Sequence, residues 1–133
     1  MYSEIRVGWL YRGADLNPDE ITAILGVKPT RTWRKGDRRG RATLPIGGWQ
    51  LGSGLAVDQQ LDEHIRALVA LLRPIEENAA ALAGRYDCML ACSVRSFGGD
   101  RPAIHFDADV VDFVAKCGGS IDVDLYVFSE EED

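Results

Sequence analysis

Apolar residues alternate with polar ones near both ends of the chain and recur at helical spacing in its middle. Ile5, Val7, Trp9 and Tyr11 take every second position of residues 4–11, a period of two that predicts a strand with one apolar face. Asn17-Pro18-Asp19-Glu20 then reads as a helix start. Asn caps, Pro fits the first helical position, and the two acids suit the positive end of the helix dipole. Ile21, Ile24 and Leu25 make the apolar stripe, and Gly26 is placed to end the helix in a left-handed conformation. An extended segment is expected over residues 27–33. A loop should follow, with Gly36 and Gly40 breaking regular structure. Gly48-Trp49-Gln50-Leu51 reads as a further strand with Trp49 and Leu51 on one face.

From Asp58, a candidate cap, Leu61, Ile65, Leu68, Val69 and Leu72 recur at helical spacing. Pro74 interrupts them, so a second helix over residues 75–82 is expected after a kink, with Gly84 closing it. Residues 86–94 put Cys88, Leu90, Cys92 and Val94 on one face and Met89 and Ala91 on the other. Apolar residues on both faces mark a central strand. A turn at residues 97–102 and a short strand at 103–106 precede Asp107, which is placed to cap a helix carrying Val110, Val111, Phe113 and Val114. Gly118-Gly119 ends that helix. Ile121, Val123, Leu125 and Val127 then alternate with Asp122, Asp124 and Tyr126 in a last strand with one wet face, and residues 129–133 form an acidic tail expected to fray.

Residues 4–51 and 86–128 follow the same order of strand, loop, cap, short helix, glycine stop and strand, joined by the helical stretch 58–83. The expectation is one domain over residues 1–133. Its fold class is α+β, a ferredoxin-like or related α/β sandwich with a mixed sheet of about five strands and helices mainly on one face.

Charge divides this chain sharply. Lys28, Arg31, Arg34, Lys35, Arg38, Arg39 and Arg41 lie within fourteen positions with one acid, Asp37. That window carries about +6 while the whole chain carries −6, so the rest carries about −12. The overall balance disfavours nucleic acid and anionic lipid as partners. No apolar run approaches the roughly 20 residues that span a bilayer. The first residues contain neither a basic region nor an apolar one, so no secretion signal is expected there. Three cysteines without disulfide-like spacing indicate a reduced, cytoplasmic protein.

Candidate chemistry is sparse. Cys88 and Cys92 stand four apart on a strand, about 13 Å, too far for a disulfide or a shared metal, and read as core residues. Cys117 falls at a helix C-terminus, where the dipole disfavours a thiolate. His105, Asp107 and Asp109 would share a face of a continued strand and suit a divalent cation, but a helix starting at Asp107 would swing Asp109 away. His64 reads as a solvated or half-buried helix residue. The sequence contains no CxxC, HExxH or P-loop pattern and no Ser-His-Asp set, so no catalytic residue, metal or cofactor is assigned and the chain is not expected to be an enzyme.

The basic window is the one outward-pointing feature. Its arginines can grip carboxylate or phosphate bidentately, and Trp33 offers a stacking surface. Candidate binding residues are therefore Trp33, Arg31, Arg34, Lys35, Arg38, Arg39 and Arg41. The plainer reading is a solvated hairpin loop whose arginines pair with the acidic remainder.

The ordered set Ile21 to Gly26, Lys28-Pro29-Thr30, Lys35-Gly36-Asp37 and Gly48-Trp49, a Leu-rich helix and the closing Asp-rich strand from Ile121 to Tyr126 resembles a bacterial family of small proteins, the domain-of-unknown-function family four-two-seven-nine. The resemblance spans nearly the whole chain. It implies a compact bacterial α+β domain and brings no established activity, cofactor or catalytic residue. Two classes of function follow. One is a non-enzymatic protein-interaction module, regulatory or antitoxin-like, that meets an acidic protein. The other is a domain binding a small anionic ligand or nucleotide under the loop 34–41.

Overall fold

The computed structural model describes residues 1–129. Its centre is a five-stranded mixed sheet in the order β2-β5-β1-β6-β7, with β1 Tyr2–Gly13, β2 Arg31–Trp33, β5 Gly47–Gly52, β6 Asp87–Phe97 and β7 Ser120–Phe128. The fold is therefore an α+β sandwich, as the alternation predicts. β1 is antiparallel to both β5 and β6, β5 is antiparallel to β2, and β6 and β7 run parallel. A parallel pair needs a crossover, and helix α4 (Ala108–Lys116) supplies it.

The apolar positions of β1 predicted to share a face do so. Ile5, Val7, Trp9 and Tyr11 join Cys88, Leu90, Cys92 and Val94 of β6 in one core cluster with residues from every helix. Helix α1 (Pro18–Leu25) contributes Ile21 and Leu25, α2 (Leu61–Leu72) contributes Ile65 and Leu68, α3 (Glu76–Ala83) contributes Leu82, and α4 contributes Phe113. Two polar ties join the layers, the first buried and the second partly so. The Tyr11 hydroxyl donates to the Ala79 carbonyl at 2.9 Å, and Trp49 Nε1 donates to Thr22 Oγ1 at 3.0 Å. Asn17 caps α1 through a bond from the Asp19 N–H, and Gly26 ends it with φ 69°.

Five local expectations change. The basic window is a hairpin, as its plainer reading has it, but it contains regular strands where a loop broken by Gly36 and Gly40 is expected. It closes into a two-stranded hairpin, β3 (Arg38–Arg39) against β4 (Ala42–Thr43). Gly40 takes φ 61° at the first position of the two-residue connection Gly40-Arg41, where a side chain would be strained. The Asp37 carboxylate accepts from the Arg34 N–H at 2.7 Å and fixes the hairpin base. Asp58 does not cap α2. A turn closed by Gln59 N–H to Ala56 O follows the segment bonded to β1, so Asp58 falls in the turn and Gln60 takes the cap position. Residues 103–106 form no strand and pair with neither sheet. Val111 faces solvent, since α4 buries Val110, Phe113 and Val114 instead.

β7 is only half covered, although its alternation predicts a fully apolar buried face. Ile121 and Val123 pack against the core, but Leu125 and Val127 stay exposed on the same face. Nine residues of helix reach about 14 Å and nine of strand about 30 Å, so α4 covers only part of its strand. Of the expected acidic tail, residues 130–133 lie outside the described residues.

Candidate functional site

The helices cover one side of the sheet and leave the other open. Its open positions are the residues between the core ones: Arg6, Gly8, Leu10 and Arg12 on β1, Gly48, Gln50 and Gly52 on β5, Met89, Ala91 and Ser93 on β6, and Asp122 and Asp124 on β7. All of them but Gly8 and Gly48 line a trough of about 550 Å³, joined by Arg31 of β2. Strand register orders its charges. Arg6 lies beside Ser93, and Ser93 beside Asp124. Further along, Arg31 lies beside Gln50, and Gln50 beside Leu10. Next to the trough on the same open face, Trp33 lies beside Gly48, and Gly48 beside Arg12. One flank is cationic and the β7 flank acidic.

Glycine makes the cationic end possible. A Cβ on Gly48 would fall inside the indole of Trp33, so the ring lies flat on β5 only because Gly48 has no side chain. Two guanidinium groups sit over that ring. Arg31 Cζ is 5.0 Å from its centroid, and Arg39 Cζ, reaching across from the hairpin, is 5.8 Å away. Contacts of this length are cation–π attractions of about 0.5 to 1 kcal/mol at an exposed site. Arg31 also donates to Gln50 Oε1 at 3.2 Å. On the neighbouring strand, Arg12 Nε is shielded from solvent with no hydrogen-bond partner among the described residues.

The predicted binding residues thus separate into three groups. Trp33, Arg31 and Arg39 come together, and the indole is a pedestal for guanidinium groups rather than a free stacking surface. Arg34 turns away to pair with Asp19 of α1 at 2.9 Å. Lys35, Arg38 and Arg41 stand exposed on the hairpin, with no side-chain hydrogen bond or ion pair among the described residues. Of the hairpin cations, Arg34 alone follows the reading in which they pair with the acidic remainder. Arg6 and Arg12 escape the sequence reading, which follows the apolar face of β1. The same period of two carries them as its polar phase.

The other candidates are occupied structurally. Cys88, Cys92 and Cys117 are buried free thiols. Burial pushes all three thiols up, Cys92 to about 12 and Cys117 to about 11, so they stay protonated at neutral pH. Asp107 occupies the cap position of α4 without capping through its side chain. Its carboxylate meets His105 Nε2 at 2.8 Å and the Arg66 guanidinium, which also grips Asp109 at 2.7 Å. Arg66 holds the Asp109 carboxyl below the usual carboxylate range. Arginine therefore sits where the sequence pattern allowed a metal, and no metal-binding group of three residues occurs among the described ones.

His64 departs furthest from expectation. It is 1 % exposed rather than solvated or half-buried. Its Nδ1 lies 2.6 Å from Ser53 Oγ, while Nε2 is buried without a hydrogen-bond partner among the described residues. Burial lowers its pKa, opposed in part by the Ala56 carbonyl. Helical spacing contains the signal, since His64 falls at i+3 from Leu61 and i−4 from Leu68 on the buried stripe.

The family described as Domain of unknown function (DUF4279) matches residues 4–128, nearly the whole chain, and the chain belongs to it. No curated protein and no solved structure matches. No helix among the described residues is long and apolar enough to cross a membrane.

Proposed function

We propose that this member of the family is a non-enzymatic interaction module of bacterial cytoplasm that takes an acidic segment of a regulatory partner protein across the open sheet face, at its Trp33 end. The observation that carries the reading is the convergence of Arg31 and Arg39 on one indole, with Arg12 on the next strand but one. Guanidinium forks bind carboxylates bidentately. Arginines already seated on a ring lose less side-chain freedom on binding than arginines free in solvent. Lys35, Arg38 and Arg41 raise the local positive potential and speed encounter with an acidic partner. Asp122 and Asp124 across the trough repel acid, so the partner's carboxylates are held to the Trp33 end. Three free thiols suit a reducing compartment.

The trough volume favours one alternative. About 550 Å³ lies within the range of small-molecule sites, and a compact anion such as a nucleotide would fill it. Titration of hexaglutamate and of adenosine monophosphate, followed by the Trp33 indole resonance, separates the two. The peptide should bind, weaken as salt rises, and weaken at least tenfold when Arg31 and Arg39 are both replaced by Ala. Tighter binding of the nucleotide would favour the alternative, and an unmoved indole with both probes would remove the site.

A further inference from the structure

We propose that β7 is the contact strand of a homodimer, pairing antiparallel with β7 of a second copy about a two-fold axis at Leu125. This edge of the sheet lies at the opposite side from β2 and the trough's cationic flank.

The two edges of the sheet differ. β2 is three residues long and carries Arg31 and Trp33, a short and charged edge of the kind that resists pairing. β7 is nine residues long, and its outer backbone meets no other strand among the described residues. Its first half is guarded by Asp122 and Asp124. Its second half, Leu125-Tyr126-Val127-Phe128, has no charge, and Leu125, Tyr126 and Val127 are 52, 51 and 68 % exposed. A long edge ending in exposed apolar residues of both faces is a strand with something still to bury.

The pattern of acids narrows the register that a second copy can take, and of the registers free of acid–acid pairs the one centred on Leu125 pairs the most residues of the strand. Residues directly opposite in an antiparallel pair lie on the same face, so a symmetric pairing must be centred on a residue. Centring on Val123 would set Asp122 against Asp124 of the second copy twice over. Centring on Asp124 would set that acid against itself. Like charges directly opposite are destabilising. Centring on Leu125 removes every acid–acid pair in the strand. Leu125 then meets Leu125, and Val123 meets Val127, on the helix-covered face. On the open face Tyr126 meets Asp124, a hydroxyl donor against a carboxylate, and Phe128 meets Asp122. The strand is complementary to itself in the way an isologous interface requires. The two sheets become one, with both troughs on the same side.

Sedimentation equilibrium of the full chain tests this, together with L125D and L125K, each checked for a native far-UV spectrum and a cooperative melt because Leu125 is half exposed and loss of the dimer alone lowers the melting temperature. The wild type should sediment as a dimer at micromolar concentration. Each variant puts a like-charge pair on the axis and should raise the dimer Kd at least about a hundredfold. Mixing the two variants in equal amounts should restore the dimer, because opposite charges then face each other across the axis. V127K, at the most exposed position, should also dissociate the dimer and serves if either Leu125 variant unfolds. A wild type monomeric throughout, a dimer indifferent to these substitutions, or a mixture that stays monomeric would overturn the proposal.

Discussion

The two faces of this sheet are encoded by the same strands in alternate positions, yet they behave as different materials. On β1, Trp9 and Tyr11 are fully buried under helices, while Leu10 and Arg12 between them line an open trough. The covered face is specified by volume, since its buried side chains form one cluster that must fill the space beneath the helices. The open face is specified by absence. Gly48 lets the Trp33 indole lie flat, and Gly8 leaves room for the Gln50 side chain. Fold stability therefore resides in the odd positions of β1 and recognition in the even ones, and substitutions can test that division.

The largest effect belongs to the covered face. Trp9 is fully buried, and its ring packs so closely on Gly119 that a Cβ there would come within 2.7 Å of it. Trp9→Ala should lower stability by about 3 to 5 kcal/mol, the range for large aromatic truncations in cores. The check is the urea midpoint at constant m-value. A loss below about 1 kcal/mol would mean that the covered face is not where the stability lies.

A smaller effect, dependent on pH, comes from His64, buried where α2 packs on the core. The pKa of His64 is lowered by burial, so the unfolded chain binds the proton more tightly than the folded one. Above the unfolded value, about 6.5, neither state holds the proton and stability is unaffected. As pH falls below that value the unfolded state is favoured, and stability declines until the folded-state pKa is reached. The carboxylate of Asp109, held low by Arg66, acts in a lower window, losing its contribution as pH falls below the ordinary carboxylate range. Denaturation midpoints between pH 7.5 and 5 should therefore drop for the wild type and stay flatter for His64→Gln. Parallel curves for the two proteins would show that the burial of His64 has no bearing on acid stability.

How much of this was legible in the chain follows from the same division. Period-two runs at Ile5–Tyr11 and Cys88–Val94 located the central strands, because burial on one face writes itself into composition. Asn17-Pro18 and Gly26 located α1, because caps are local chemistry. The misreadings occurred where tertiary context decides. Residues 103–106 have a strand's composition but pair with no strand, and pairing is decided by partners far along the chain. His64 lies on an apolar stripe, yet only the fold brings Ser53 within 2.6 Å of it. In the candidate site, the hairpin cations were legible as a charge run, and their grouping was not. Arg31, Arg39 and Arg12 belong to three separate stretches of chain, brought together by strand order and hairpin closure.

The smallest stability effects should come from the open face, and there binding should separate residues that the charge run treats alike. Arg38, Arg39 and Arg41 are all exposed cations on one hairpin. Replacing any of them with Ala should change stability by under about 1 kcal/mol, as exposed charges typically do. Only Arg39 reaches the Trp33 ring. Arg39→Ala should therefore weaken hexaglutamate binding more than Arg38→Ala or Arg41→Ala, and its loss should persist at high salt, because a seated fork is lost along with a charge. The other two should matter mainly at low salt, where long-range attraction is unscreened. Gly48→Ala supplies the converse. It removes no charge but pushes the indole off the sheet, which should unseat Arg31 and Arg39 together and reproduce the binding loss of their double replacement. Comparing salt dependence across these four variants decides the matter. Equal losses for the three arginines, with Gly48→Ala binding as the wild type does, would leave the hairpin as a diffuse positive patch and remove the Trp33 end as a built site.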